Sequence, residues 1–259
     1  MNKVFYKEYG GGYPLIFLHG FCETSYVWKG LAELLKDEFR VICPDLPGFG
    51  KSMPLSKNFS VDDVACHLKN WLEDINVKKC IIVGHSLGGY VTLSFARQFP
   101  DLIDAFCLFN SSVYKDSPEK KENRNKLIEH LHENGVKPFI RTFVPSLFYA
   151  ERLEEFDSVI KNIREEGLKL SVDTVAGYAA AMRDRKESVD VLKKFKDKVL
   201  VIAGEEDNNV PKEVSSKIGE MIETCNFYLL PASAHMSMFE QKVRSAEIIK
   251  DFVNLLRVN

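Results

Sequence analysis

The sequence predicts an α/β protein: a mostly parallel central sheet flanked by helices, with an inserted helical cap. Three observations carry this. Six short apolar runs are each bounded by Gly, Pro or polar turn residues, the mark of strands buried on both faces. Helical apolar periodicity returns between most of them, and such alternation implies parallel strands joined by right-handed crossovers. The alternation lapses between about Val113 and Asp190, where the chain is charged and helical in pattern. Residues 1–112 and 191–259 are therefore assigned to the core and 113–190 to the cap.

Taken in order, Val4 to Tyr9 reads as a short strand, and Gly10 to Gly12 as a hairpin turn. Leu15 to Leu18 is a strand ending at His19-Gly20, and Val41 to Cys43 is another, followed by a Gly/Pro loop. Val61, Val64, Leu68, Trp71, Leu72 and Ile75 share one helix face. Ser60, with Asp63 three residues on, gives that helix a capping-box start. Cys80 to Val83 is the third buried run, Ala105 to Phe109 the fourth, Val199 to Ala203 the fifth and Phe227 to Leu230 the sixth. A helix over Ser86 to Phe99 follows the third run. The C-terminal helix carries Ile248, Ile249, Phe252, Leu255 and Leu256 on its apolar side. Within the insertion, Ser117-Pro118 is a natural start for a helix that ends at Gly135.

Composition narrows the function. The 259 residues carry 35 basic and 37 acidic side chains, a formal net charge of −2. That balance gives no field to steer nucleic acid or an anionic membrane, so neither is expected as a partner. Cys22, Cys43, Cys66, Cys80, Cys107 and Cys225 form no C-x-x-C pair, which argues against a zinc or redox motif. They read as buried reduced thiols, and a cytoplasmic protein is expected. No stretch approaches the ~18 apolar residues of a membrane span. No metal constellation is visible, no cofactor is expected, and "GFGKS" lacks the glycine spacing of a phosphate loop.

Gly84-His85-Ser86-Leu87-Gly88 fits G-x-S-x-G, placed strand, turn, helix. Such a sharp turn strains the serine backbone, exposes its hydroxyl and leaves no room for a Cβ at the glycines. The helix opening there aims unpaired N–H groups at the site. The plain alternative is a helix N-cap serine among turn glycines.

With four further motifs in order, the chain resembles the α/β-hydrolase family over nearly its whole length. These are "LHGF" (18–21), "DLPGFGKS" (45–52), "GEEDNNVP" (204–211) and "SAHMSMFE" (233–240). The resemblance implies a serine hydrolase acting on a small-molecule ester, of the esterase, enol-lactonase or cofactor-free haloperoxidase-like group. It implies a triad of Ser86, Asp207 and His235. His19 is then structural, His67 an ordinary helix residue, and His130 and His132 solvated. His85 is expected to point away from the site. From the residues alone, Glu205 and Glu206 remain alternatives to Asp207; family register favours Asp207. Some relatives place the acid one strand earlier, where this chain has Asn110, which cannot carry charge. An oxyanion hole would use the N–H of Leu87 and, by resemblance, of Phe21. Phe21, Met182, Phe143 and Tyr178 are candidate substrate-pocket residues, with Phe139, Phe148 and Tyr149 as further aromatics of the insertion. Lactones, thioesters and C–C bonds remain open as substrates, as does a non-catalytic binding role on the same scaffold.

Overall fold

The structure is a computed structural model that describes residues 3–56, 58–222 and 226–258; Cys225 lies outside the described residues. Seven strands are found among the described residues: β1 (Tyr6–Tyr9), β2 (Tyr13–Leu18), β3 (Phe39–Pro44), β4 (Cys80–His85), β5 (Ile103–Phe109), β6 (Val199–Gly204) and β7 (Phe227–Leu230). They form one sheet in the order β1-β3-β2-β4-β5-β6-β7, antiparallel only between β1 and β3. Every residue of β4 and β6 is buried, whereas the edge strands β1 and β7 are mostly half-buried. Each Leu, Ile, Val or Phe fully covered in this way contributes about 1.5–3 kcal/mol. That is why short apolar runs suffice to hold the central strands.

The predicted hairpin at Gly10–Gly12 is not formed. β3 pairs in parallel along the β2 edge, from Tyr13↔Phe39 to Ile16↔Ile42, so β1 adds outside β3 instead. The glycine turn carries the chain over the end of α1 (Lys29–Leu35), where Gly10 has φ +68° and a Cβ would lie 2.0 Å from the Lys36 carbonyl oxygen.

α2 (Val61–Asp74) begins with the full capping box of Ser60 and Asp63 and buries Val61, Val64, Leu68, Trp71 and Leu72. α3 (Leu87–Gln98) follows β4 directly. Between β5 and β6 lie α4 (Pro118–Asn134), α5 (Val136–Phe143), α6 (Asp157–Gly167), α7 (Val172–Asp184) and α8 (Val189–Lys194), with no strand among the described residues. Ser117 accepts from the Lys120 N–H to cap α4, and Gly135 ends it with φ +73°. α9 (Lys212–Gly219), α10 (Ser237–Glu240) and α11 (Lys242–Val258) complete the chain order. Among the described residues, no helix is long and apolar enough to cross a membrane.

Strand order reverses between β2 and β4: β3 leaves on one side of the pair and β5 on the other. Ligands of open α/β sheets bind at such a switch point, outside the carboxyl ends of the strands. Leu18 stands opposite Gly84, so the loops after β2 and β4 emerge there side by side.

Candidate active site

Ser86 occupies the turn between β4 and α3 with φ 49° and ψ −113°, a conformation costing a non-glycine residue of order 1–3 kcal/mol. Its side chain makes no capping hydrogen bond, so the helix-cap alternative does not describe it. The Ser86 N–H donates to Phe109 O at 3.1 Å, and the Ser111 hydroxyl donates to Ser86 O at 2.8 Å. The flanking glycines are needed for space: a Cβ would come within 2.5 Å of Gly88 O at Gly84 and 2.4 Å of Leu18 O at Gly88.

His235 sits in the loop between β7 and α10, 3% exposed. Its Nδ1 donates to Asp207 Oδ2 at 2.7 Å, which leaves Nε2 as the free basic nitrogen. Asp207 follows β6, and its carboxylate is fully used. Oδ1 accepts from the N–H groups of Asn209 (2.8 Å) and Val210 (3.0 Å), and Oδ2 accepts also from Asn110 Nδ2 (3.0 Å). Burial alone would raise the Asp207 carboxyl; the His235 imidazole and these donors outweigh it and hold it below the usual range. Burial likewise opposes a charged His235, but the Asp207 carboxylate prevails and its pKa lies above the ordinary 6.5. Glu205 faces Lys212 at 3.7 Å instead, and Glu206 is exposed.

Two buried groups behind the site were not legible as a pair. His85 points behind the cavity rather than into it: its Nε2 donates to the His235 carbonyl at 2.9 Å, and the two rings lie 4.7 Å apart. Its Nδ1 lies 3.1 Å from Glu23 Oε2, which also accepts from the Gly20 N–H at 2.8 Å. Burial would raise the Glu23 carboxyl, but His85 and the Gly20 N–H bring it below the usual range. Glu23 thus joins the loop after β2 to the loop that bears His235. His19 has the bracing role expected of it: Nδ1 donates to Gly20 O at 2.8 Å, and Nε2 accepts from the Leu46 N–H at 2.9 Å. Burial pushes its pKa down.

The His235 loop is tied on its other side to residues 147–152. His235 N–H donates to Leu147 O at 2.9 Å. Glu240 accepts from the N–H groups of Ala234 (2.7 Å) and Tyr149 (2.6 Å), and Arg152 donates to Ala232 O and Glu240 O.

Ser86 and His235 line one cavity of about 350 Å³ together with Phe21, Phe139, Phe143 and Met182. Phe21 is in ring contact with both Phe139 and Phe143. Among the described residues, no hydrogen bond occupies the Phe21 or Leu87 N–H. Tyr178 does not reach the cavity. It is fully buried, its hydroxyl donates to Pro47 O at 3.0 Å, and it packs between Phe49 and Phe59. A phenol with a buried backbone acceptor serves as core, here pinning α7 to the 45–54 loop. Phe148 packs against Phe156 and Phe239 and is likewise outside the cavity. His67 is a half-buried residue of α2, while His130 and His132 are exposed on α4. Cys22, beside the β2 loop, is 1% exposed and burial holds its thiol well up, so it does not compete as a nucleophile. Among the described residues, no cluster of His, Cys, Asp and Glu could hold a metal.

Residues 13–242 match the family model described as the alpha/beta hydrolase fold. The chain is 30% identical to a thermophilic esterase from Thermogutta terrifontis, solved with malate bound, with a TM-score of 0.92 over 98% of this chain and 93% of that one. It is 28% identical to the uncharacterized hydrolase YugF of Bacillus subtilis (strain 168), over 97% of this chain and 94% of the relative. It is 25% identical to the 2-hydroxy-6-oxo-6-(2'-aminophenyl)hexa-2,4-dienoic acid hydrolase of Metapseudomonas resinovorans, over 96% and 87%.

Proposed function

The chain belongs to the α/β-hydrolase family, and from that premise we propose that it is a serine hydrolase cleaving a small carboxylic ester through an acyl-enzyme on Ser86. One observation carries the reading: a strained, uncapped serine and a histidine held by a buried carboxylate at 2.7 Å line the same cavity. In this mechanism His235 Nε2 takes the Ser86 proton as Oγ attacks the carbonyl carbon. The N–H groups of Phe21 and Leu87 hold the oxyanion. His235 then gives the proton to the departing alkoxide, and water, deprotonated by the same nitrogen, releases the acid and frees Ser86. Asp207 keeps the productive tautomer and stabilises the imidazolium. Ester is favoured over amide because an alkoxide leaves more easily than an amine.

Residues 113–190 act in this reading as a cap, supplying Phe139, Phe143 and Met182 to the acyl wall. A second reading keeps the triad but cleaves a C–C bond; the relative from Metapseudomonas resinovorans, a hydrolase of a dienoic acid, supports keeping it in view. The test is a panel of p-nitrophenyl esters of graded acyl length. The proposal expects saturable turnover with an optimum at short acyl chains, abolished in Ser86→Ala. No turnover of any ester, or turnover surviving in Ser86→Ala, would reject it.

A further inference from the structure

The wall that α4 contributes to the catalytic cavity carries charge for which acyl transfer itself has no use. Lys120, Asn123, Arg124 and Leu127 of α4 all line the cavity, the i, i+3, i+4, i+7 spacing of one helical face. α4 as a whole is of mixed charge, but its acids (Glu119, Glu122, Glu129 and Glu133) are absent from that lining. A merely solvated helix would spread both signs around its circumference. Here the cavity face has cations alone.

The one acid among the described lining residues is Asp116, just before α4 and 3% exposed. Both of its oxygens are engaged: Oδ1 by Arg185 at 2.8 Å and Oδ2 by Arg124 Nε at 3.4 Å. Arg185 is held on several sides and is not among the residues that line this cavity. It donates also to Met182 O and Tyr114 O, and its guanidinium lies over the Tyr90 ring at 4.0 Å. Arg124 is different. Its side chain is 25% exposed, and its two terminal amino groups have no partner among the described residues. Lys120 donates to Asn209 O at 3.4 Å and has no carboxylate partner among the described residues. Two arginines thus share the one carboxylate of the lining, and the cations that face the cavity are Arg124 and Lys120.

We propose that Lys120 and Arg124 form an anion subsite in the cavity, and that the natural substrate carries a carboxylate distant from the bond that is cut. A half-ester of a short dicarboxylic acid, or a lactone with a pendant carboxylate, has this chemistry. The free edge of the Arg124 fork matches a carboxylate in two parallel hydrogen bonds, and the Lys120 ammonium adds a point charge. The apolar Phe139, Phe143 and Met182 then face the carbon chain between the two functional ends. A cavity of about 350 Å³ suits a ligand of that small size.

The inference rests on the proposed hydrolase reading only for where the bond is cut; the binding it predicts needs no turnover. The test is calorimetric titration of Ser86→Ala protein with the monomethyl and dimethyl esters of succinate, glutarate and adipate. The half-ester of at least one chain length binds tenfold or more tightly than its diester, and the preference weakens with added salt. In Ser86→Ala carrying Lys120→Met and Arg124→Met, the preference is lost. Because Arg124→Met also strips a partner from the buried Asp116, Lys120→Met alone is measured too; it breaks no ion pair among the described residues and reduces the preference severalfold. Equal binding of half-ester and diester, no half-ester binding, or a preference that survives Lys120→Met and the folded double variant would overturn the subsite. A half-ester that binds but is not hydrolysed by the unmodified protein would instead count against Ser86 as the nucleophile. Hydrolysis without regard to charge would do the reverse.

Discussion

The His85 ring donates to the backbone carbonyl of His235 at 2.9 Å, so the residue preceding the elbow serine holds the loop of the proposed general base. On its other side, Glu23 ties the same ring to the Gly20 N–H, one residue before the proposed oxyanion donor Phe21. The two halves of the site are thereby fixed to one another through a pair of buried side chains that do not line the cavity.

Glu23→Gln keeps the shape but removes the charge that faces His85. The expected result is a fall in kcat of about tenfold or more with KM little changed, since orientation rather than binding is lost. Glu23→Ala removes the buried acceptor of the Gly20 N–H and the polar partner of the His85 ring, at about 1–3 kcal/mol for each group left unpaired. Thermal unfolding and steady-state kinetics on the two variants check both points.

Asp207→Asn should leave the fold intact and lower kcat by about 10⁴, the scale set by loss of the correct histidine tautomer in comparable triads. Because the Asp207 carboxylate is what raises the His235 pKa against burial, the residual activity should also begin to rise at lower pH. A pH–rate profile of the variant with an unshifted acid limb would contradict that assignment.

The proposed mechanism requires neutral His235. In the unmodified protein activity should therefore be low in acid and rise through an apparent pKa above 6.5, the direction in which Asp207 moves it. Stability runs the other way. The raised His235 pKa contributes stability that is complete below its unfolded value of 6.5 and is lost as pH rises through the folded value. The depressed Asp207 contributes stability present above its unfolded 3.8 and lost as pH falls through the folded value. Stabilisation by the pair is thus greatest between about 4 and 6.5. Melting temperatures and kcat/KM measured across pH 4 to 9 should trend oppositely on crossing neutrality.

Glu240 receives the N–H groups of Ala234 and Tyr149 and the Ser233 hydroxyl. Glu240→Ala leaves these donors unpaired, at about 1–3 kcal/mol for each that stays buried. A drop in Tm of at least about 4 °C is expected for a chain of this size. Scanning calorimetry reads it.

Much of this architecture was legible because the physics is local. Buried parallel strands need continuous apolar runs, so β4 to β7 lie within two residues of where the pattern placed them, and the Ser60–Asp63 box marks the start of α2. The elbow was legible because a strained serine excludes Cβ atoms at fixed offsets. What escaped depends on contacts between distant positions. Nothing near Glu23 signals that its partner is His85, 62 residues on. Tyr178 looks like any aromatic of the insertion until the Pro47 carbonyl meets its hydroxyl. The Gly10–Gly12 turn resembles a hairpin because sequence does not reveal that β3 takes the intervening edge. In sequence Asn110 is only an acid position without an acid; in the fold it donates to Asp207 Oδ2 at 3.0 Å and to Ala234 O at 2.9 Å.

The central claim is that Ser86 is a nucleophile activated by His235, and covalent labelling reaches it most directly. Folded protein is treated with a fluorophosphonate and digested, and the adduct is located by mass spectrometry. The account predicts one phosphonyl group on the peptide containing Ser86, with labelling slowed by orders of magnitude in His235→Ala. No adduct on folded protein, an adduct elsewhere, or labelling indifferent to His235 would contradict it.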